Sequence, residues 1–493
     1  MAADLIDLVQ HLGQPHVLVL GDLMLDRYVW GDAERISQEA PVILLHADKR
    51  EERLGGASSV ATMLRALGAK VSLVGVVGSD FDGARIRQTL TDLDIDHDGV
   101  LNDADRPSTV KERYIGRAAH RHPQQLLRVD FETREPVQAR VEADLCDVVQ
   151  HQVRKNDIVL ISDYDKGVCT PGLLQAAIAA AKERGIRVVA DPIRRADYSK
   201  YRGCSSMTPN RFEAGQATGR SIQSTNEALA AATQLMTDLD LEAGIVTLDK
   251  DGMAFSHRDG RRQIFSTRPR QVYDITGAGD MVMSVLAMAL AAGADFDPAI
   301  RLANIAGGLE VEKIGVATVS RDEILRDLLH EGGLANGQQK LLPVHLLNLA
   351  LESRRRLGQR IVFTNGCFDV LHAGHVEYLQ EARRQGDVLI VGLNSDDSVR
   401  NLKGPSRPIN TLDSRALVMT GLSAVDYVAV FDAATPLELI KAVKPDVLVK
   451  GADYRADEVV GGEFVKSYGG RIHLAPLREG LSSSNILRRL EAA

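Results

Sequence analysis

Short apolar runs of β type alternate with glycine or aspartate turns and then with helical stretches through most of this chain. His16–Leu20 leads into Gly21-Asp22, Val71–Val77 into Gly78-Ser79-Asp80, and Arg187–Ala190 into Asp191-Pro192. Such alternation folds as α/β with a largely parallel sheet, and ligands gather at the carboxyl ends of its strands. The rhythm breaks at Glu331-Gly332-Gly333-Leu334-Ala335-Asn336-Gly337 and then resumes. A chain of 493 residues is also too long for one ordinary core. The expected division is a first domain over 1–332, a linker over 333–342 and a second domain over 343–493.

In the first domain, Asp274-Ile275-Thr276-Gly277-Ala278-Gly279-Asp280 runs into Met281–Ala292, an apolar stretch long enough for a buried helix. The glycines let the backbone approach a ligand, and unpaired N–H groups at a helix start attract anions. Asp280 places a carboxylate beside that anion hole. The pairing suits phosphoryl transfer from a nucleotide to a hydroxyl. Asp280 takes the proton, and the amides of Gly277, Ala278 and Gly279 hold the developing charge. A plain capped turn is the alternative.

Thr208-Pro209-Asn210-Arg211-Phe212-Glu213 sets Asn210 and Glu213 three apart, on one face of a helix start. Their oxygens suit Mg²⁺, held through water and nucleotide phosphates. A capping pair is again the alternative. Asp22 and Asp26 follow the first strand, where they could meet a ligand or form turns. Leu54-Gly55-Gly56-Ala57-Ser58-Ser59 opens a helix. Arg113, Arg117, Arg121 and Arg128 make a basic stretch able to meet a substrate phosphate, or only solvent.

These segments resemble the signature of ribokinase-like sugar kinases, the phosphofructokinase-B family, across essentially the whole first domain. The resemblance implies Asp280 as catalytic base, ATP as co-substrate and Mg²⁺ as cofactor. Asn210, Arg211, Phe212 and Glu213 then serve the nucleotide, with Asn210 and Glu213 also serving the metal. Asp22, Gly55, Gly56, Ser59, Arg128 and Asp163 serve the sugar. Ser162-Asp163-Tyr164-Asp165-Lys166-Gly167 is close to a segment of bacterial heptose-phosphate kinases. Ser59 stands where that branch has Asn, and Ile193 where many relatives have Lys.

In the second domain the strand Ile361–Thr364 enters Asn365-Gly366-Cys367-Phe368-Asp369-Val370-Leu371-His372-Ala373-Gly374-His375. His372 and His375 share one side of a helix entry and can stabilise phosphate charge as pyrophosphate leaves. No further ligands stand at zinc spacing. His-x-Gly-His in this setting resembles the nucleotidyltransferase superfamily that includes cytidylyltransferases, a Rossmann-like α/β fold. The resemblance implies Phe368, Lys403, Arg407, Lys450 and the turn Ser482-Ser483-Ser484 as nucleotide contacts.

Both parts in this order resemble the bifunctional heptose-phosphate kinases and heptose 1-phosphate adenylyltransferases of Gram-negative bacteria. That resemblance implies phosphorylation of D-glycero-β-D-manno-heptose 7-phosphate at C1. It then implies adenylyl transfer to heptose 1-phosphate, giving ADP-heptose for lipopolysaccharide core synthesis, and a homodimer through the first domain. The residues alone leave open another sugar, CTP in place of ATP, or a nucleotide-binding regulator with a decayed kinase half. A net charge of −8 argues against a nucleic-acid surface. No run of 18 apolar residues suggests a membrane span. Cys146, Cys169, Cys204 and Cys367 show no CxxC pairing. With no signal-like N-terminal run, they point to the cytoplasm.

Overall fold

The computed structural model describes residues 2–117, 123–268, 270–313, 315, 317–331, 340–455 and 457–476. It forms two compact units, Asp4–Ile324 and Leu325–Ala493. The division falls within the helix Arg321–Glu331. Of the linker expected at 333–342, residues 333–339 lie outside the described residues. Leu341 already bridges in parallel to Val428 at the edge of the second unit's sheet.

The first unit is built on a nine-stranded sheet. Its order is Arg262–Phe265, Met253–His257, Ala243–Thr247, Ser206–Met207, Arg187–Asp191, Ile158–Ser162, His16–Gly21, Lys70–Gly78 and Asp96–Asp103. From Ala243–Thr247 onward the neighbours are parallel, and the first two strands are antiparallel. Ile158–Ser162 is buried throughout, as expected of a strand covered on both faces. The helix Ala278–Ala291 is buried from Asp280 to Leu290. A helix apolar on all sides belongs inside a core, and this one packs against Phe296–Glu310.

A second sheet was not foreseen from sequence. Leu23–Ile36 and Ile43–Gly56 are long antiparallel strands, joined by Thr109–Arg117 and Gln124–Phe131 into four strands. Asp26, read from sequence as a ligand contact or a turn residue, lies within the strand Leu23–Ile36, whose charged residues mask the alternation of a half-exposed strand.

The second unit is a five-stranded parallel sheet in the order Tyr427–Phe431, Val388–Asn394, Ile361–Gly366, Val447–Gly451, Arg471–Ala475. The order reverses at Ile361–Gly366, which opens the crevice where such sheets bind ligands.

Candidate active sites

In the first unit, strands His16–Gly21, Ile158–Ser162 and Arg187–Asp191 end side by side. Asp22, Asp163 and Asp191 therefore emerge at one end of the sheet. The helix Ala278–Ala291 starts nearby. Gly277 caps it at φ 100°, a conformation open to glycine, with no side-chain cap. Among the described residues, the N–H groups of Gly277 and Gly279 have no protein acceptor. A Cβ added at Gly279 would meet nothing within 4 Å. The helix start is thus an open, unpaired donor site.

Asp280 lies one residue on and is buried. The Tyr164 hydroxyl donates to its Oδ1 at 2.6 Å. Burial raises the Asp280 pKa to about 6, and the Tyr164 bond opposes that rise. A carboxylate tuned toward neutrality is better matched to general-base work than an ordinary one.

Asp22 is filled by the chain. The backbone N–H groups of Tyr164, Lys166 and Val168 donate to its carboxylate at 2.9, 3.1 and 3.2 Å. Burial, and then the neighbouring Asp163, raise its pKa to about 6 against those bonds. Asp163 accepts from Tyr201 Oη at 2.7 Å and from Lys200 Nζ at 2.5 Å. Both carboxylates thus hold the turn 163–168. Gly55 and Gly56 are required by close approach: an added Cβ would lie 2.5 Å from Asp26 Oδ2 or from the Asp22 carbonyl. Ser59 is buried on the helix that follows.

The basic stretch is already paired. Arg113 meets Asp26 at 2.5 Å, Arg117 meets Asp48, and Arg128 meets Asp130 at 2.9 Å. Arg121 lies outside the described residues. Lys111, on the same sheet, forms no ion pair among the described residues. Its Nζ sits 5.8 Å from the Tyr164 ring centroid.

Asn210 and Glu213 form a complete capping box at the helix Arg211–Thr218. Asn210 Oδ1 accepts from both Phe212 and Glu213, and Glu213 Oε2 accepts from Asn210 N. Arg211 pairs with Asp251 at 2.8 Å. Phe212 is exposed, with the Arg194 guanidinium 5.6 Å from its ring centroid. Asp191 was not singled out from sequence. Among the described residues its carboxylate has one hydrogen-bond partner, Thr208 Oγ1 at 3.4 Å. Burial, then the charges of Asp280 and Glu213, push its carboxyl well above the usual range. Tyr164 was missed as well, although the Ser-Asp-Tyr segment that carries it was noticed. Its contact with Asp280 spans 116 residues and leaves no local trace.

In the second unit, His372 stands at the N-cap position of the helix Ala373–Arg384, with no side-chain capping bond. The rings of His372 and His375 lie 3.9 Å apart, centroid to centroid. Both Nδ1 atoms are buried without a protein partner among the described residues. Burial lowers the His375 pKa to about 4, helped by His372 and Lys403. Phe368 is buried at φ 44° and meets His375 edge-on at 5.5 Å. Lys450 Nζ donates to Asn365 Oδ1 at 2.5 Å, and burial lowers its pKa to about 8. Arg407 donates from Nε to Asp369 at 2.5 Å, while its Nη2 is buried and unpaired. Part of that charge is therefore already neutralised. Ser482, Ser483 and Ser484 lie outside the described residues.

Sequence gave no sign of Arg415, which is 1% exposed. It donates to the carbonyls of Asn410, Cys367 and Asn394 at 3.1, 2.8 and 2.8 Å, and to Asp396 at 2.6 Å. One guanidinium thereby ties together three segments at the carboxyl end of the sheet.

The two folds define a carbohydrate kinase joined to a nucleotidyltransferase. Residues 14–323 match the pfkB family of carbohydrate kinases, and residues 363–489 match the cytidylyltransferase-like family. The chain belongs to the family of bifunctional HldE proteins. It is 45% identical to the bifunctional protein HldE of Syntrophotalea carbinolica, over 96% of this chain and 95% of that one. It is 44% identical to that of Geobacter sulfurreducens, over 98% and 97%. The first unit's fold is similar to that of Arabidopsis thaliana ribokinase complexed with ribose and ATP. That match has a TM-score of 0.51 at 20% identity, and covers 64% of this chain and 99% of the other. Phosphofructokinase-2 from Escherichia coli gives 0.52 at 18%, covering 65% and 99%.

Proposed function

We propose that the first unit phosphorylates C1 of D-glycero-β-D-manno-heptose 7-phosphate with ATP, and that the second transfers AMP to heptose 1-phosphate. The products are the 1,7-bisphosphate with ADP, and then ADP-heptose with pyrophosphate, for the lipopolysaccharide core. One observation carries the reading. Relatives of a single bifunctional family match both units in this order, over 96% of the chain.

In the first step Asp280 takes the proton of the C1 hydroxyl as its oxygen bonds to the γ-phosphorus and ADP leaves. The free amides of Gly277 and Gly279 hold the transferred oxygens, joined by that of Ala278. Gly55, Gly56, Ser59 and Arg128 line the sugar side, while Asp22 and Asp163 shape the turn that faces it. Asn210, Arg211, Phe212 and Glu213 serve the nucleotide. The reading of Mg²⁺ here is supported by the oxygen chemistry of the Asp191 carboxylate, whose one partner among the described residues is Thr208 Oγ1, while the oxygens of Asn210 and Glu213 also serve the capping box. These residues would hold the ion through water, and the ion would neutralise β- and γ-phosphate charge.

In the second step a phosphate oxygen of heptose 1-phosphate attacks the α-phosphorus of ATP. The attacking group is already an anion, so no base is needed. His372, His375, Lys403, Arg407, Lys450 and Ser482–Ser484 offset charge on the triphosphate, beside Phe368.

A homodimer through the first unit is supported by Ile36, Ile43, Leu127 and Phe131, large apolar residues exposed on its four-stranded sheet. No helix among the described residues is long and apolar enough to cross a membrane.

The test follows ADP and pyrophosphate separately, with MgATP and heptose 7-phosphate, with and without a sugar-bisphosphate phosphatase. ADP alone without the phosphatase, then pyrophosphate and ADP-heptose with it, is expected. Pyrophosphate from supplied heptose 1-phosphate, with no ADP from heptose 7-phosphate, would overturn the kinase assignment.

A further inference from the structure

We propose that Tyr164 is a positioning residue for phosphoryl transfer: its phenol fixes Oδ1 of Asp280, so that the acceptor hydroxyl delivers its proton to Oδ2. The inference rests on the reading of Asp280 as the base.

Tyr164 reaches Asp280 because its own backbone is held on both sides. The carboxylate of Asp22 accepts the N–H groups of Tyr164, Lys166 and Val168. Asp163, the residue before, is tied to Tyr201 and Lys200. Asp165 at φ 59° and Gly167 at φ 85° turn the chain between those anchors, and Arg195 holds Asp165 at 2.6 Å. The phenol therefore projects from a fixed turn and donates at 2.6 Å. Burial and the negative charge of Asp280 push the Tyr164 pKa well above its ordinary value. The hydroxyl thus keeps its proton across the working range and acts as a donor.

Among the described residues no other protein donor reaches the Asp280 side chain. A phenol has one hydrogen to give, so it occupies one oxygen and leaves the other for substrate. The fixed bond also sets the rotation of the carboxylate, which decides whether the free oxygen lies in line with the incoming hydroxyl. In the reaction the hydroxyl O–H breaks and its proton moves to Oδ2. The sugar oxygen bonds to the γ-phosphorus, and the bond from that phosphorus to ADP breaks. Tyr164 gives and receives nothing.

The other charged groups about Asp280 come from separate elements. Asp26 stands on Leu23–Ile36 and Lys111 on Thr109–Arg117. Asp191 ends its strand and Glu310 ends the helix Phe296–Glu310. Of all these, Tyr164 alone makes a hydrogen bond to the carboxylate.

The test compares full-length wild type, Tyr164→Phe and Asp280→Asn in ADP release from MgATP and heptose 7-phosphate, from pH 5 to 9, with ADP binding by calorimetry. Tyr164→Phe keeps the ring and is expected to lower kcat by about 10- to 100-fold. KM for the sugar should change by less than about twofold. Without the donor, Asp280 holds its proton more tightly, so the acidic limb of the pH profile moves up by about one unit. ADP binding should be unchanged. Wild-type kcat and limb in Tyr164→Phe would overturn the inference. So would a loss explained by a raised KM or weakened ADP binding, which would indicate a merely structural role. Turnover retained in Asp280→Asn would overturn the base assignment itself, a separate result.

Discussion

The imidazoles of His372 and His375 lie with their centroids 3.9 Å apart and their planes tilted by 34°. Two cations at that distance would repel, and burial already lowers the His375 pKa to about 4. His375 is therefore neutral at physiological pH, and in the proposed function it meets phosphate as an N–H donor, not as a cation. Pyrophosphate formation should show no gain from His375 protonation as pH falls through 6.5. Replacing His375 by Ala should lower kcat for this step by about 10²- to 10³-fold, with ADP formation by the first unit unchanged. A wild-type rate that rises between pH 8 and 6 and loses that rise in the variant would show that the cation is the working form.

Asp280 carries a cost in stability. Burial raises its carboxyl pKa to about 6 in the folded unit, against 3.8 for the free group. The folded state binds the proton more tightly between those values. The contribution is full below pH 3.8 and lost as pH rises through 6. Asp280→Asn should therefore stabilise the first unit at neutral pH, on the order of 1–2 kcal/mol, with the gain closing toward pH 4. ADP formation should fall by about 100-fold or more. Trp30, the only tryptophan, lies in the first unit, so its emission follows that unit's unfolding. Equal midpoints at neutral pH would refute the expectation.

Arg415 serves four acceptors with one buried side chain. Arg415→Met fills the space but strands the carbonyls of Cys367 and Asn394. The cost should be about 3 kcal/mol. Heating the full chain before assay should then abolish pyrophosphate formation at a lower temperature than in wild type. ADP formation should keep its wild-type inactivation curve. Coincident shifts in both activities would contradict a local role.

In the proposed function Asp191 has the role of holding Mg²⁺ beside Glu213. Asp191→Asn removes a charge but keeps the shape. The MgCl₂ concentration for half-maximal ADP release should rise by about tenfold or more, and saturating Mg²⁺ should recover part of the rate. An unchanged Mg²⁺ requirement would remove Asp191 from the site.

Much of this architecture was readable from sequence, because it is local. Strand–turn–helix alternation, the Gly277–Asp280 turn and the His372–His375 spacing are each set within a few residues. Backbone sterics, helix-end donors and apolar periodicity act at that range. What lay hidden was long-range. The four-stranded sheet pairs Leu23–Ile36 with Thr109–Arg117; Lys111–Ile115 and Gln125–Phe131 read as strands, but the charged strands Leu23–Ile36 and Ile43–Gly56 carry little periodic signal, and the pairing itself is long-range. Tyr164 meets Asp280 across 116 residues, and Arg415 reaches Cys367 across 48. Asp22 and Asp163 were expected to serve the sugar, and only the tertiary structure shows their oxygens met by N–H, hydroxyl and ammonium donors. The sequence determined which chemical groups are present and which local turns present them. The packed fold decided which of those groups are already satisfied and which are left free to act, because that depends on partners distant in the chain and on exclusion of water.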